Sequence, residues 1–415
     1  MDAVVRDALA LTDAGQSKQA YDMLEPLEVT RAGDPDFDTV FGIAANQSGQ
    51  HARAVMALER ATIVQPGNTR ARAELGRAMF AVGDSKSART LLEQAKAQGA
   101  PPEAALTIDQ FLRAIDVAEA LAQSSWQGYV EASIGHDGNI SSGPPNANVA
   151  VPALGGVVTL GANAVKKGAT FANLAAGVSG RYVVDSRVSL IGSASINQRI
   201  DNNESQFSNN QLNISGGASY RVDRQEFSLV AVHEDYTVDG AINRTQNGLV
   251  GEWVYRIDNT QEMGAYMQYS RLHYPAQSVR DAARTVLGAS YALQFGEGWL
   301  GWGGAYAGNE NESAAGRPDL GHVLGGLRLG VQKSFTQTLA GFASLNFENR
   351  RYGGQDPFFL VKRKDDQASL SLGLNWAPAK AWRITPSVSY VRNQSSVIIN
   401  DYDRTIVSIA ARLQF

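Results

Sequence analysis

The chain has 415 residues, and its 37 lysine and arginine residues against 41 aspartate and glutamate residues give a formal net charge of −4. This balance lacks the basic excess of a nucleic-acid-binding protein, so nucleic acid is not expected as a partner. The lack of cysteine excludes disulfides, thiolate metal sites and cysteine nucleophiles. No run of 18 apolar residues occurs, which excludes spanning helices but leaves the alternating strands of a transmembrane β-barrel open.

The composition changes near residue 123. The first 122 residues are rich in alanine and hold five of the 34 aromatic residues, whereas the rest hold all six tryptophans and 33 of the 41 glycines. This change predicts an α + β two-domain chain, with an all-α domain at 1–122 and a β domain at 123–415. The start Met1-Asp2-Ala3 has no basic and apolar leader, so we expect a mature chain with an added Met1.

The helical domain repeats with a period of 34 residues, which is typical of tetratricopeptide repeats. Small residues or leucine recur at this interval in four columns: Ala8, Gly42 and Gly76; Gly15, Gly49 and Gly83; Ala20, Ala54 and Ala88; Leu24, Leu58 and Leu92. Close packing of paired helices explains the small residues. We expect a solenoid of about three repeats, at 1–34, 35–68 and 69–102. A capping helix is expected at Ile108–Ala122, with Ile115, Ala118 and Leu121 on its apolar face.

The solenoid can hold a peptide in its concave groove or serve only as a scaffold, and the residues favour neither. An unrelated helical bundle is the alternative interpretation of the 34-residue spacing.

The second domain divides into fourteen segments in which apolar and polar residues alternate. They lie at about 126–136, 170–183, 187–200, 210–223, 226–239, 244–258, 261–274, 282–295, 298–312, 319–335, 339–352, 365–378, 382–396 and 402–415. Short and long connections alternate between them, and the longest is Ser141–Gly168. This pattern predicts a 14-stranded antiparallel transmembrane β-barrel with lipid outside and a polar lumen. The even strand number places both barrel ends on one side of the membrane.

Aromatic residues form two predicted belts at the membrane interfaces. One belt adjoins the short turns: Trp126, Tyr182, Tyr220, Phe227, Tyr255, Phe295, Trp299, Phe335, Trp376, Trp382 and Phe415. The other adjoins the long loops: Tyr236, Tyr269, Tyr274, Phe347, Tyr352 and Tyr390. A soluble all-β protein would not sort its aromatic residues by turn length.

The end of the chain resembles the signal that the outer-membrane barrel assembly machinery recognises. The aromatic Phe415 shares a face with Leu413 and Ala411. This predicts the assembly machinery and outer-membrane lipid as partners. It also predicts that the barrel ends, and with them residues 1–122, face the periplasm.

Charged residues at lumen positions form the candidate wall of a passage. They are Glu131, Arg181, Arg199, Arg221, Glu252, Arg284, Arg328, Glu348, Arg350 and Arg412. Arg181, Arg199 and Arg221 fall on three successive strands. The wall either steers an anionic or unfolded passenger, or its residues pair with each other and prop the barrel open.

Two residues mark a candidate seam, where the barrel could open sideways. Pro386 removes a ladder hydrogen bond from the thirteenth strand, next to the closing strand that ends at Phe415.

No residue pattern predicts catalysis, and no catalytic, cofactor or metal residues are expected. The five histidines have no metal-ligand spacing, although His136-Asp137 and His233-Glu234-Asp235 lie near strand ends where a barrel hydrolase could build a site. The chain is therefore expected not to be an enzyme.

The whole architecture resembles the surface lipoprotein assembly modulator (Slam) family. The segments that carry the resemblance are Gly135, Asp137, Asn139 and Ile140 at the first strand; Lys362-Arg363-Lys364-Asp365; Ile384-Thr385-Pro386; Asn393-Gln394-Ser395-Ser396; and Tyr402-Asp403-Arg404. The resemblance implies an outer-membrane translocon that delivers a client lipoprotein, or a related secreted protein, to the cell surface. It implies no catalytic residues. The alternatives are an exopolysaccharide export porin and a simple diffusion porin.

Overall fold

The computed structural model describes residues 1–415, apart from five side chains near the end of the last helix: Val117, Ala118, Ala120, Leu121 and Ala122. The predicted cap positions Ala118 and Leu121 thus lie outside the described side chains. The chain forms two compact units, Met1–Gln123 and Ser124–Phe415.

The first unit, here called the helical unit, consists of antiparallel helices. They are α1 (Ala3–Asp13), α2 (Ser17–Leu24), α3 (Glu28–Arg31), α4 (Pro35–Gln47), α5 (His51–Val64), α6 (Thr69–Ala81), α7 (Ser85–Ala97) and α8 (Pro102–Ala122). The pairs α1–α2, α4–α5 and α6–α7 fall within the three expected repeats. Among the described residues, none of these helices has the length and apolar character needed to cross a membrane.

Two columns of the 34-residue repeat meet inside each helix pair. A Cβ atom added to Gly42 would lie 2.4 Å from Cγ of Leu58, and one added to Gly76 would lie 2.8 Å from Cγ of Leu92. A side chain at either glycine would therefore displace the leucine, whereas the first repeat has the small Ala8 at the equivalent position. The Gly15 column has a different role, because these glycines have positive φ angles, such as +82° at Gly49, and turn the chain after a helix.

Polar caps fix where several helices begin. Asp34 accepts hydrogen bonds from the backbone N–H groups of Asp36 and Phe37 at the start of α4. Asp84 accepts one from Ser87 at the start of α7. Each cap satisfies a donor that the first turn leaves unpaired. Between the helices, Phe41 is fully buried and stacks on Phe37, with ring centroids 5.7 Å apart.

The second unit, here called the barrel, contains sixteen strands. They are β1 (Ser125–Asp137), β2 (Asn148–Val151), β3 (Gly156–Thr159), β4 (Ala169–Val183), β5 (Val188–Asp201), β6 (Asn209–Val222), β7 (Gln225–Val238), β8 (Ala241–Arg256), β9 (Gln261–His273), β10 (Ala282–Phe295), β11 (Trp299–Glu312), β12 (His322–Ser334), β13 (Leu339–Gln355), β14 (Lys362–Ala379), β15 (Trp382–Ser395) and β16 (Tyr402–Gln414). Strands β1 and β4–β16 form one closed antiparallel barrel, so the predicted fourteen strands are present.

The first and last strands close the barrel. Their register runs from Tyr129 opposite Gln414 to Asp137 opposite Ile406. Beyond it, Gly128 and Phe415 exchange two backbone hydrogen bonds of 2.7 and 3.0 Å. We call this pairing the closing ladder.

Side chains alternate between the two faces of every barrel strand. Large apolar residues such as Ile134, Leu229 and Leu287 point outward and are more than half exposed. The predicted belt near the long loops is wrong at Tyr236 and Tyr352. Alternation places Tyr236 on the inner face of β7, with Glu226 and Glu234. Alternation places Tyr352 on the same inner face as Arg350, and its ring packs on His322 with centroids 4.8 Å apart.

The longest loop contains a small hairpin, β2–β3, which the sequence analysis treated as loop. Val149 and Val151 are buried, and the N–H of Ala153 donates to the carbonyl of Phe358 in another long loop at 3.0 Å. The four-residue strands are too short for an alternation signal. Lys167 also fastens this loop by a 2.8 Å ion pair that lowers the pKa of the Glu204 carboxyl.

Candidate functional site in the barrel lumen

The inward-facing charged residues form three clusters. The first, the short-turn cluster, consists of Arg181, Arg221 and Glu226. Glu226 accepts from Nη2 of Arg181 at 2.5 Å and from Nη2 of Arg221 at 2.7 Å. Glu226 was not among the predicted wall residues, although its position next to the outward Phe227 in an alternating strand marks it as a lumen residue.

The second, the mouth cluster, lies at the long-loop ends of the strands. It consists of Asp137, Asn139, Arg199, Asp201 and Arg404. Nη2 of Arg199 is 2.9 Å from Asp137 and 2.7 Å from Asp201. Arg199 is therefore not grouped with Arg181 and Arg221, because it ends its strand at the opposite rim. Successive strands alone do not bring residues together; their height along the barrel must also match.

The mouth cluster gathers most of the segments on which the family resemblance depends. Nδ2 of Asn139 donates to the carbonyl of Asp403 at 2.8 Å, and Nη2 of Arg404 lies 2.5 Å from Asp137. Nearby, the buried Asp365 accepts from Arg363 and from Ser395, both at 2.7 Å. Asp137, Asn139 and Asp365 are almost completely buried. These contacts tie the mouth end of β1 to that of β16, and the mouth end of β14 to that of β15.

The third, the wall cluster, consists of Arg284, Tyr306, Arg328, Glu348 and Arg350 on β10–β13. The hydroxyl of Tyr306 donates to Glu348 at 2.6 Å, and Nε of Arg350 donates to the same carboxylate at 2.6 Å. The guanidinium carbon of Arg328 lies 4.7 Å from the Tyr306 ring centroid. Nε of Arg284 donates to Glu310 at 2.8 Å.

The remaining wall candidates lie elsewhere in the lumen. Nε of Arg412 donates to Glu131 at 2.7 Å, directly across the closing ladder. Glu252 lies opposite Ser228 and, within the described barrel, has no ion pair.

The two seam candidates have different surroundings. Pro386 lies opposite Ile409, and on its other side the β14–β15 register shifts between Trp376 and Ala379. Phe415, in contrast, is held by both of its hydrogen bonds to Gly128.

The helical unit has a groove between α6, α7 and α8, with a cavity of about 330 Å³. Leu92, Ile108 and Phe111 line it, and the guanidinium carbon of Arg77 lies 5.0 Å from the Phe111 ring centroid. Its lining is thus largely apolar, with two ion pairs at its rim, Arg77 with Glu74 and Arg70 with Asp13.

The two histidine-containing segments singled out in the sequence, His136-Asp137 and His233-Glu234-Asp235, lie on different strands, β1 and β7. His233 contacts Asn247 and Asp235, at 2.8 and 3.3 Å. Across the side chains that the structure describes, no three histidine, aspartate or glutamate residues are placed to hold a metal ion.

Residues 126–415 match the model of the surface lipoprotein assembly modifier family, and residues 45–108 match a tetratricopeptide repeat. The chain belongs to the surface lipoprotein assembly modifier family. This confirms the resemblance found in the sequence and the predicted fold class. For this modifier it means an outer-membrane barrel with a role in surface lipoprotein assembly, a family role that is not enzymatic. No curated protein matches the chain.

Several solved structures are similar to one or other unit of this assembly modifier. OmpT of Vibrio cholerae is 10% identical with a TM-score of 0.41, covering 70% of this chain and 97% of its own. The Sgt2 tetratricopeptide domain of Aspergillus fumigatus is 24% identical with a TM-score of 0.25, covering 28% and 80%. The translocator chaperone SycD of Yersinia enterocolitica is 17% identical with a TM-score of 0.26, covering 28% and 83%.

Proposed function

We propose that this chain is a translocon that delivers a surface lipoprotein, or a related secreted protein, from the periplasm to the cell surface. The helical unit engages the client and the barrel conducts it. One observation carries the proposal: a single chain joins a grooved repeat unit to a closed barrel whose inner wall is polar.

The topology supports a periplasmic position for the helical unit, and we propose residues 1–122 as the periplasmic domain and 123–415 as the membrane domain. β1 begins and β16 ends at the rim that carries the short turns. In outer-membrane barrels the short turns face the periplasm and the long loops face outward. The helices precede β1 directly, so they belong on the periplasmic side.

The groove of the helical unit supports a role in client binding. Its apolar lining at Ile108 and Phe111 suits apolar side chains of an extended segment. Repeat solenoids commonly bind extended peptides on such concave surfaces.

The lumen clusters support conduction of a polar chain. Most arginines of the candidate wall are held by carboxylates, which fixes their positions. Glu252 and Arg328 have no such partner among the described residues, so their charges are available to a passing client. The outward, apolar face of β16 with Phe415 supports lipid and the barrel assembly machinery as further partners.

Removal of residues 1–122 tests the division of labour. We expect the remaining barrel to stay folded, seen as a heat-dependent shift in gel mobility, while client delivery falls. Delivery is measured by protease treatment of intact cells and mass spectrometry, against cells with the full chain and cells without the gene. Unchanged delivery would contradict the proposal. A loss of surface glycan with an unchanged protein surface would favour the polysaccharide alternative.

A locked closing ladder tests whether the client leaves through the seam. Gly128 and Phe415 form a hydrogen-bonded pair, so Ser133 and Ala410 form a non-hydrogen-bonded pair, whose spacing suits a disulfide. The chain has no cysteine, so two introduced cysteines have no competitors. If passage is lateral, the lock stops delivery and reduction restores it.

The matched control locks a ladder far from the seam. Ser215 and Val232 on β6 and β7 also form a non-hydrogen-bonded pair, because Asp239 donates to Ser208 seven positions along. If both locked variants deliver normally, passage is through the lumen and the seam assignment of Pro386 and Phe415 is wrong.

A further inference from the structure

The wall cluster contains one arginine that the barrel's own carboxylates do not neutralise. Arg284 pairs with Glu310 and Arg350 pairs with Glu348. In the portion of the barrel that the structure describes, Arg328 has no carboxylate within ion-pair distance, and its recorded partner is the face of the Tyr306 ring.

A cavity of about 370 Å³ opens beside this arginine. Its size is at the lower end of the range for small-molecule sites, and it equals roughly a dozen water molecules at about 30 Å³ each. Side chains from six neighbouring strands line it, among them Gln268, Arg284, Arg328, Glu348 and Arg350. Three guanidinium groups thus share the lining with one carboxylate.

Arg328 keeps most of its donors available. A guanidinium carries five N–H donors, and the contact of Arg328 within the described residues is with the single side chain of Tyr306. Tyr306 is itself held, because its hydroxyl donates to Glu348 at 2.6 Å. Arg328 is therefore positioned by Tyr306 and not by a carboxylate.

We propose that this cavity binds a carboxylate group through Arg328. Arginine and carboxylate match as a bidentate pair, and Arg328 is the one guanidinium of the lining without a carboxylate partner among the described residues. The carboxylate can belong to an acidic side chain of a client or to a free small dicarboxylate. The proposal deepens the proposed conduction of a client by naming the chemistry that the wall recognises.

Binding is tested on the purified full chain in detergent, with glutarate as the probe and chloride added to hold ionic strength constant. We expect saturable binding by calorimetry, weakened about tenfold or more in Arg328→Gln, which loses a charge-assisted bidentate pair. The matched control is Arg383→Gln. Arg383 also faces the lumen and has no ion pair among the described residues, but it lies on β15, outside the cavity.

Three results decide the proposal. Saturable binding by the wild type and Arg383→Gln but not by Arg328→Gln supports it. Equal weakening in both variants, or no saturable binding by a folded wild type, overturns it. If Arg328→Gln fails to fold, Arg328→Lys replaces it: lysine keeps the charge but loses the bidentate fork, so clearly weaker binding supports the site and unchanged affinity overturns it.

A hexaglutamate peptide distinguishes the two sources of the carboxylate. Binding at least tenfold tighter than glutarate indicates an acidic client segment, whereas equal or weaker binding indicates a free dicarboxylate; both retain the site. The assay contains no client. If the chain binds the carboxylate but Arg328→Gln delivers the client normally, the site exists and delivery does not depend on it. If Arg328→Gln loses delivery but no carboxylate binds, the carboxylate site is wrong and the proposed conduction stands. The two proposals can therefore fail separately.

Discussion

The helical unit and the barrel place their apolar side chains in opposite directions. In the helical unit, Phe37, Phe41 and Leu58 are fully buried at the centre. In the barrel, residues such as Leu229 point outward, while Asp137 and other charged groups lie inside. Both arrangements remove apolar surface from water, because lipid surrounds one unit and water surrounds the other. The location of the apolar side chains, inside or outside, therefore indicates whether water or lipid surrounds a unit.

The opposite placement of apolar side chains in the two units also determines where their charged residues lie. A buried charge needs a partner, so the barrel interior is built from linked ion pairs such as those around Glu226. The helical unit instead keeps most of its charge at the surface and uses single carboxylates as helix caps. Four substitutions test this contrast, from the largest expected effect to the smallest.

The buried core of the helical unit should be sensitive to the removal of a large apolar side chain. Phe41→Ala removes a fully buried ring that stacks on Phe37 and Tyr21, and should lower the free energy of unfolding by about 3–5 kcal/mol. Denaturant unfolding followed by circular dichroism at the helix band measures this. Ile63→Ala, at a position 77% exposed, should change stability by less than about 0.5 kcal/mol. Equal effects would show that the helices do not pack as described.

The outer face of the barrel should reject charge that the inner face accepts. Leu229→Arg places a cation on the lipid face, where such a charge costs about 2–4 kcal/mol at the membrane midplane and less toward the interface belt at Phe227. Unfolding by urea in lipid vesicles measures the cost. The neighbouring Ser228→Arg faces the lumen opposite Glu252 and should cost far less. The reverse order would mean that inside and outside are exchanged.

Ion pairing in the lumen should contribute more to the stability of the barrel than the net charge of the lumen does. Glu226→Gln leaves Arg181 and Arg221 without their shared carboxylate and should destabilise the barrel by about 1–3 kcal/mol. Glu252→Gln removes the same charge where no ion pair exists among the described residues, and should have little effect. Heat-dependent gel mobility in vesicles compares the two. If they behave alike, net lumen charge and not pairing sets stability.

The smallest effect concerns a cap in the helical unit. Arg31 and the backbone N–H of Phe37 lower the pKa of Asp34. A carboxyl whose folded pKa lies below its unfolded value of about 3.9 stabilises the fold above that pH, and the contribution is lost as pH falls through the folded pKa. Asp34→Ala should cost about 1 kcal/mol at neutral pH.

The pH dependence supplies the control for that cap. The helical melting temperature of the wild type should fall as pH drops below about 4, and that of Asp34→Ala should fall less steeply. Asp7→Ala, on the exposed face of α1, should follow the wild type. A variant as steep as the wild type would show that Asp34 does not contribute.

Periodicity made most of this fold predictable from the sequence. The 34-residue spacing predicted paired helices packed through small residues, and alternation of period two located every barrel strand to within a few residues. Both signals are local. The hairpin β2–β3 was not predicted, because a four-residue strand shows too little alternation and its stability comes from contacts with another loop.

The lumen site was less predictable, because it depends on height along the barrel. Alternation identifies Arg199 as a lumen residue but not that it meets Asp137, 62 positions away and on a different strand. Glu226 was accessible to the same alternation argument that found Arg181. The contact of Arg328 with the Tyr306 ring, in contrast, follows from the register between β11 and β12, which no pattern within one strand encodes.

The closing ladder has a consequence for synthesis of the chain. Every other barrel strand pairs with its neighbour in sequence, but the ion pair of Glu131 and Arg412 joins residues 281 positions apart. A chain that lacks β16 cannot close the barrel, because β1 and β15 each keep an unpaired edge. Such edges invite aggregation, so closure depends on strands from the two ends of the barrel sequence being present together.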